Sequence, residues 1–444
     1  MKNIRIGCGA GFQADRIKPA VELAQNGDIQ YLVFECLAER TIGLAQKERV
    51  QNLKGGYDIF LEDRMTAVLP ICKKNGIKII TNMGAANPLG GMEKIVETAR
   101  NLNLSGLKVA AVTGDDIFQE VLNGDYKVSE TGKSVQTLNQ PVSANAYIGS
   151  GGLVRALREG ADIVIAGRVA DAALFLAPMI YEFDWSFEDY DILSKGTMIG
   201  HLLECCGQVT GGYFADPGYK DVPDLARLGY PLAEVYEDGT AIITKTPGSG
   251  GLVSIDTCKE QLLYEIQDPT SYITPDVVAD FSGAVLTEVG KDRVKVQGAK
   301  GKKRPELLKV SVVYHDSFIG EGELSYAGSG AVERGKLALE VVRERLKLSG
   351  VPLMETRFDL IGVNALHAKL ACAQENAYEV RIRVAGRADN RKDAFCICRE
   401  IAGLGLGGPA GGGGGSGSVT EVFGVVSTLI PRDRVNLSVE YEVI

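Results

Sequence analysis

Through the first half of the chain, short apolar runs alternate with segments whose apolar residues recur every three or four positions. The runs at 3–6, 29–34, 77–80, 107–112 and 162–166 read as strands. Between them, 13–25, 38–53, 57–74, 91–101, 115–122, 147–159 and 172–181 read as helices, and in the first Ile17, Ala20, Val21 and Ala24 share one face. Segment 126–138 reads as a small hairpin insertion. This alternation calls for right-handed crossovers and predicts an α/β fold with a doubly wound, mostly parallel, Rossmann-like sheet.

Each run stops at a cluster of turn-forming or charged residues. These are Gly7-Cys8-Gly9-Ala10-Gly11, Glu35, Asn82-Met83-Gly84, Gly114-Asp115-Asp116 and Gly167-Arg168-Val169-Ala170-Asp171. In an open parallel sheet, ligands bind outside the carboxyl ends of the strands, where helix N-termini and loop amides converge. A binding or catalytic site is expected on that rim.

After about residue 216 the pattern changes. Strands become short and β-branched, at 241–245, 293–296, 308–315, 378–384 and 437–443, with helices at 260–266, 330–347 and 393–404. The expected organisation is a ligand-binding domain over 1–216 and an α+β domain over 217–444. In the second, 378–384, the 393–404 helix and the final strands form a compact sub-layer. The glycine-rich stretch 407–418 reads as a flexible linker, as backbone made bare for close approach to a ligand, or as a lid.

Composition narrows the function classes. A chain of 444 residues exceeds one ordinary core, and a net charge of −9 argues against a nucleic-acid surface. The basic run Lys300-Gly301-Lys302-Lys303-Arg304 reads as the cap of a solvated hairpin. No apolar run approaches the ~18 residues of a membrane span, and the N-terminus enters a strand without a signal-peptide core. Nine scattered cysteines lack zinc-ribbon or Cys-x-x-Cys spacing and point to a reducing cytoplasm. Three histidines argue against a His-rich metal site, so no metal is expected.

The candidate chemistry lies on the rim. Gly7, Gly9 and Gly11 before a helix, with Glu35 ending the next strand, suggest a dinucleotide fingerprint, but Phe12 stands where a small residue is needed. A cradle for a carboxylate or phosphate is preferred, and no cofactor is expected. Arg168 can clamp a carboxylate through two parallel hydrogen bonds, or tie its loop to Asp171. Asp171 reads as a helix cap or as an acid–base group, and the adjacent Asp115 and Asp116 read as caps for their helix, with one able to face the cleft as an acid–base group. On a helix, His201 shares a face with Glu204 at i+3 or with Cys205 at i+4, which suits proton transfer or a structural role. Gly149-Ser150-Gly151-Gly152 leaves bare amides for an acidic group, and Pro247-Gly248-Ser249-Gly250-Gly251 forms a possible oxyanion nest without a P-loop lysine. The candidate catalytic residues are therefore Asp171, His201, Glu35 and Asp115. The candidate substrate-binding residues are Gly7, Gly9, Gly11, Asn82, Gly84, Asn87, Gly114, Gly167, Arg168, Gly211, Gly250, Gly251 and Gly413.

Three functional readings stay open at this point. The first is an enzyme of hydration, lyase or isomerisation chemistry on a small carboxylate or its acyl-CoA thioester. The second is a non-catalytic binding or scaffold subunit that needs a partner chain. The third is dinucleotide binding through Gly7–Gly11.

Long stretches carry a family resemblance. They include Glu35-Cys36-Leu37-Ala38-Glu39-Arg40-Thr41, Asn82-Met83-Gly84-Ala85-Ala86-Asn87-Pro88, Gly167 through Pro178, His201-Leu202-Leu203-Glu204-Cys205, Thr210 through Pro217 and Glu260 through Ile266. In these the chain resembles the acyclic terpene utilisation protein family AtuA along nearly its whole length. The resemblance implies a place in the breakdown of acyclic isoprenoids such as citronellol, whose intermediates are branched acyl-CoA thioesters. It also implies a small ferredoxin-fold module, carried by some members or encoded beside them as a possible partner. No extra module of that kind is evident before Ile444. A cytoplasmic homo-oligomer acting on a small molecule, with no nucleic acid or membrane partner, is the expectation.

Overall fold

The computed structural model describes residues 2–368 and 377–444. The chain forms two compact units. The first comprises Met1–Leu138, Val142–Val313 and Val425–Ile444, the second Asn139–Pro141 and Tyr314–Gly424. Residues 217–313, expected in the second domain, thus belong to the first unit.

The first unit is built on a ten-stranded sheet. From edge to edge its strands are Val285–Gly290, Arg293–Gln297, Ala241–Lys245, Pro231–Tyr236, Asn3–Ala10, Tyr31–Phe34, Lys78–Thr81, Ile163–Ala166, Lys108–Thr113 and Ser438–Val443. The five strands from Asn3–Ala10 to Lys108–Thr113 run parallel, in register pairs such as Ile6↔Tyr31, Tyr31↔Lys78, Ile79↔Ile163 and Val109↔Ile163. These are the strands the apolar runs predict. All the remaining pairings are antiparallel, so the sheet is mixed α/β rather than the expected doubly wound, mostly parallel one.

The reason lies in short connections. Pro231–Tyr236 and Ala241–Lys245 are joined by four residues that turn at Gly239, where φ is +77°. A connection that short permits only an antiparallel return. The 285–290 and 293–297 strands are joined in the same way, and Ser438–Val443 returns along Lys108–Thr113 to close the other edge. The final strand therefore joins the first sheet and not the expected sub-layer. Parallel strands covered on both faces read as continuous apolar runs, and Ile163–Ala166 and Tyr31–Phe34 are buried along their whole length.

The second unit runs strand, helix, strand, strand, helix, strand. Its sheet order is Glu355–Ile361, Glu379–Ala388, Leu307–Ala327, Gly413–Pro431, with antiparallel pairs Phe318↔Ala388 and Glu355↔Arg387. Numbered along the chain, the order is 2-3-1-4, the split βαβ of a ferredoxin-like fold. The helices Ala331–Ser349 and Arg391–Ala402 bury Val332, Val342, Ile397 and Ile401 against Ile382 and Val384. The glycine-rich stretch is no linker here, because its later residues begin the Gly413–Pro431 strand. Arg334 and Arg345 hold its first part by donating to the carbonyls of Ala410 and Gly407.

Close packing in this unit depends on Gly320, where an added Cβ would lie 1.8 Å from the carbonyl oxygen of Ala394. Gly320→Ala must push the Arg391–Ala402 helix off its sheet, at a cost of about 1–3 kcal/mol. Urea denaturation should show a lowered midpoint, and an unchanged one would show that the helix seat is loose.

Candidate functional site

The carboxyl ends of four parallel strands bring Glu35, Asn82, Asp115 and Arg168 into one hydrogen-bonded rim. Asn82 is fully buried. Its Nδ2 donates to Glu35 Oε1 at 2.8 Å, and its Oδ1 accepts from the Cys36 amide at 2.8 Å. Asp115 Oδ2 accepts from the Arg168 amide at 2.8 Å and from Asn145 Nδ2 at 3.0 Å. Gly167 makes room for this contact, since a Cβ there would lie 2.6 Å from Asp115 Oδ2. Asp115 is thus a strut between two strand ends, and burial raises its pKa to about 6 against these two donors.

Arg168, expected as a clamp for a substrate carboxylate, is only 1% exposed and directs its donors at the protein. Nε and Nη2 donate to the Val169 carbonyl at 3.2 and 2.7 Å, Nη1 to Leu37 O and Nη2 also to Asp171 Oδ1. The guanidinium stacks 4.5 Å from the centre of the Tyr147 ring. Burial opposes its charge, yet Asp171, Tyr147, Glu35 and Glu39 together raise its pKa. Arg168 is a buried cation that holds Asp171, not a free clamp.

Two of the expected anion cradles are filled by carboxylates of the chain itself, and the Ser249, Gly250 and Gly251 amides of the third are taken by backbone carbonyls. Gly7 and Gly9 lie inside the Asn3–Ala10 strand, packed against Leu23 and Phe34, rather than in a turn. The Gly11 amide donates to Asp15 Oδ2 at 2.8 Å, and buried Arg64 binds the carbonyls of Gln13 and Asp15 at 2.8 and 3.1 Å. The Ser150 amide and hydroxyl donate to Asp276, which caps the glycine-rich start of the Gly151–Arg158 helix. Gly11 itself serves close packing, as a Cβ would meet the Glu204 carbonyl at 2.3 Å.

Other candidates stand apart from the rim or brace it. Gly84 packs on the Ala166 carbonyl, and Asn87 caps the Pro88–Asn101 helix by accepting from the Gly90 amide at 3.0 Å. Gly114, at φ +108°, lies against the Asn436 carbonyl. Gly211, Gly250 and Gly251 form a separate loop cluster, with Gly251 against the Thr210 carbonyl. Gly413 belongs to the second unit. His201 is 2% exposed, with Nδ1 2.7 Å from Glu204 Oε1 on the shared helix face. Burial disfavours its charge, but Glu204 keeps its pKa raised.

One rim residue opens to solvent. Asp171 begins the Asp171–Phe183 helix, and its side chain is 40% exposed in a cleft of about 180 Å³. The cleft is also lined by Tyr147, Tyr272, Thr274, Leu308 and Lys309. Lys309 Nζ donates to Glu39 Oε1 at 2.7 Å and sits 5.0 Å over the Tyr147 ring, whose hydroxyl donates to the same oxygen at 2.9 Å. Loss of solvent raises the pKa of Asp171 more than Arg168 lowers it, and Glu39 and Glu265 add to the rise. Glu35 is pushed well up by burial and by Asp171, with Arg168 opposing. At Glu39 Lys309 and Tyr147 outweigh burial and lower the pKa. Sequence reasoning missed Lys309 and Tyr272 because both lie in the stretch assigned to another domain, and no local motif marks either.

Among the described residues no group of three or more His, Cys, Asp or Glu is placed to hold a metal ion, and no helix is long and apolar enough to cross a membrane.

Fold and site define a mixed α/β protein with a ferredoxin-like second unit and, beside its parallel strand ends, a cleft lined by Asp171, Tyr147, Tyr272 and Lys309. The chain belongs to the acyclic terpene utilisation protein family AtuA, whose family model matches residues 4–441. Membership supports a role in acyclic terpene utilisation. No curated protein and no solved structure matches the chain.

The Asp115 strut carries a pH signature. Its carboxyl holds a proton up to about pH 6 when folded and up to 3.8 when unfolded. The folded state binds more protons in that window, so stability falls as pH rises through it, by about 3 kcal/mol at most. Asp115→Asn keeps an acceptor for both N–H donors, and should flatten this part of the stability–pH curve measured by urea unfolding. An equal slope in the variant would place the titration elsewhere.

Proposed function

We propose that the chain is an enzyme that moves protons on a small carboxylate or its acyl thioester, with Asp171 as the base. The observation that carries this reading is Asp171 itself. It is a half-exposed carboxylate in a cleft, held from behind by a buried arginine and made more basic than an ordinary aspartate. A carboxylate with a raised pKa is better matched to proton abstraction near neutral pH.

Lys309 supplies what Arg168 does not. Its ammonium lines the same cleft and remains 47% exposed, so its remaining N–H groups are open to the acid group of a ligand. Tyr147 and Glu39 hold it in place from below. With the α-hydrogen of a bound acid or thioester against Asp171, abstraction leads to isomerisation or to loss of a β-hydroxyl as water. Both reactions move protons and no net electrons, so the reading needs no redox cofactor. Family membership agrees with such a step, since breakdown of branched acyclic chains requires double bonds and hydroxyls to be relocated.

Asp171→Asn should lower kcat about 10²–10⁴-fold while acid binding persists, in assays on short 2-enoic and 3-hydroxy acids and their coenzyme A thioesters. Lys309→Met should raise KM about ten- to hundredfold. Wild-type kcat should fall toward acid with a limb above the ordinary aspartate range, because the base acts ionised. Full turnover in Asp171→Asn would end this reading.

A further inference from the structure

The polar side chains of the Asp171 cleft are engaged with the protein, with one exception. Tyr147 Oη and Lys309 Nζ donate to Glu39, Asp171 accepts from Arg168, and Thr274 Oγ1 donates to the Val277 carbonyl. Tyr272 lines the same cleft, and among the described residues its hydroxyl makes no hydrogen bond.

The ring that carries this free hydroxyl is fixed. It packs 5.3 Å from the His201 ring and 5.4 Å from Phe281, which themselves stand 6.1 Å apart. His201 is held in turn by Glu204 at 2.7 Å and by Gln261, whose Nε2 donates to the His201 carbonyl at 2.9 Å. The backbone of Tyr272 is paired with Ala279. A buried polar apparatus thus supports one aromatic ring and leaves its O–H uncommitted. Burial, with Glu204 and Asp171 nearby, raises the pKa of this phenol well above its ordinary value. It therefore stays a neutral donor beside an anionic base.

We propose that Tyr272 is a catalytic residue of this cleft, whose O–H donates to the carbonyl oxygen of the bound acid or thioester as Asp171 takes the α-proton. The inference rests on the proton-transfer reading of Asp171. In the step, the C–H pair becomes the carbon–carbon bond of an enolate and the carbonyl π pair moves onto oxygen. The proton resides on Asp171, and the oxyanion gains the Tyr272 hydrogen bond. A donor fixed before the charge develops needs no reorganisation at that moment. His201 then acts as a positioning residue, consistent with a ring that is sealed behind Tyr272.

Tyr272→Phe keeps the ring and its stacking, so melting should be unchanged. Its kcat should fall about 10²–10³-fold with KM within a few-fold of wild type. A wild-type kcat in Tyr272→Phe overturns the inference and leaves the Asp171 reading standing, whereas turnover retained in Asp171→Asn overturns that reading instead. If no acid or thioester of the panel turns over, tyrosine difference absorption on adding the same acids decides. A signal present in wild type and lost in Tyr272→Phe supports contact with the phenol. An equal signal in both proteins, or none in either, overturns it.

Discussion

Carboxylates that leave water at the strand ends need donors, and the folded chain supplies them from its own backbone. Asp115 takes the Arg168 amide, Asp15 the Gly11 amide and Asp276 the Ser150 amide. Each bond satisfies an orphan N–H of a loop or helix start and an anion that burial has made costly. The rim is rigid for this reason. The bond from the Arg168 amide to Asp115 does not depend on the rotamer of a partner side chain, and Asn145 adds a second donor.

That arrangement also separates buried charge from solvent-facing charge. Arg168 is buried and fully engaged, so its cation serves to hold Asp171 and to offset Glu35. Lys309 stands at the cleft mouth with its ammonium half open. The two cations flank the Tyr147 ring, at 4.5 and 5.0 Å. One aromatic side chain thereby joins the buried electrostatic scaffold to the mouth of the cleft. Asp171 is bound by Arg168 and opens to the cleft that Lys309 also lines.

The rim was legible because strands end where apolar runs end. That rule alone puts Glu35, Asn82, Asp115 and Arg168 on one rim. What each residue does there was not legible. A glycine beside a strand reads the same whether it cradles an anion or lets a neighbouring backbone approach, and at Gly11 and Gly114 it is the second. Sequence periodicity also carries no information on the partner of a short strand. Ala241–Lys245 looks like the start of a new domain, yet it extends the first sheet because its partner Pro231–Tyr236 finds the open edge of Asn3–Ala10. With them the following stretch joins the first unit, including Tyr272 and Lys309.

Sequence alone therefore determined the parallel centre of the sheet and the rim on which charged residues gather, since both follow from local hydrophobic period. Helical spacing also left Glu204 and Cys205 as neighbours of His201, and the structure pairs it with Glu204. Tertiary structure decided which of those charges are buried, which amides are already taken, and which distant tyrosine and lysine complete the cleft. Burial and long-range pairing set these outcomes, and neither is encoded in any short window of the chain.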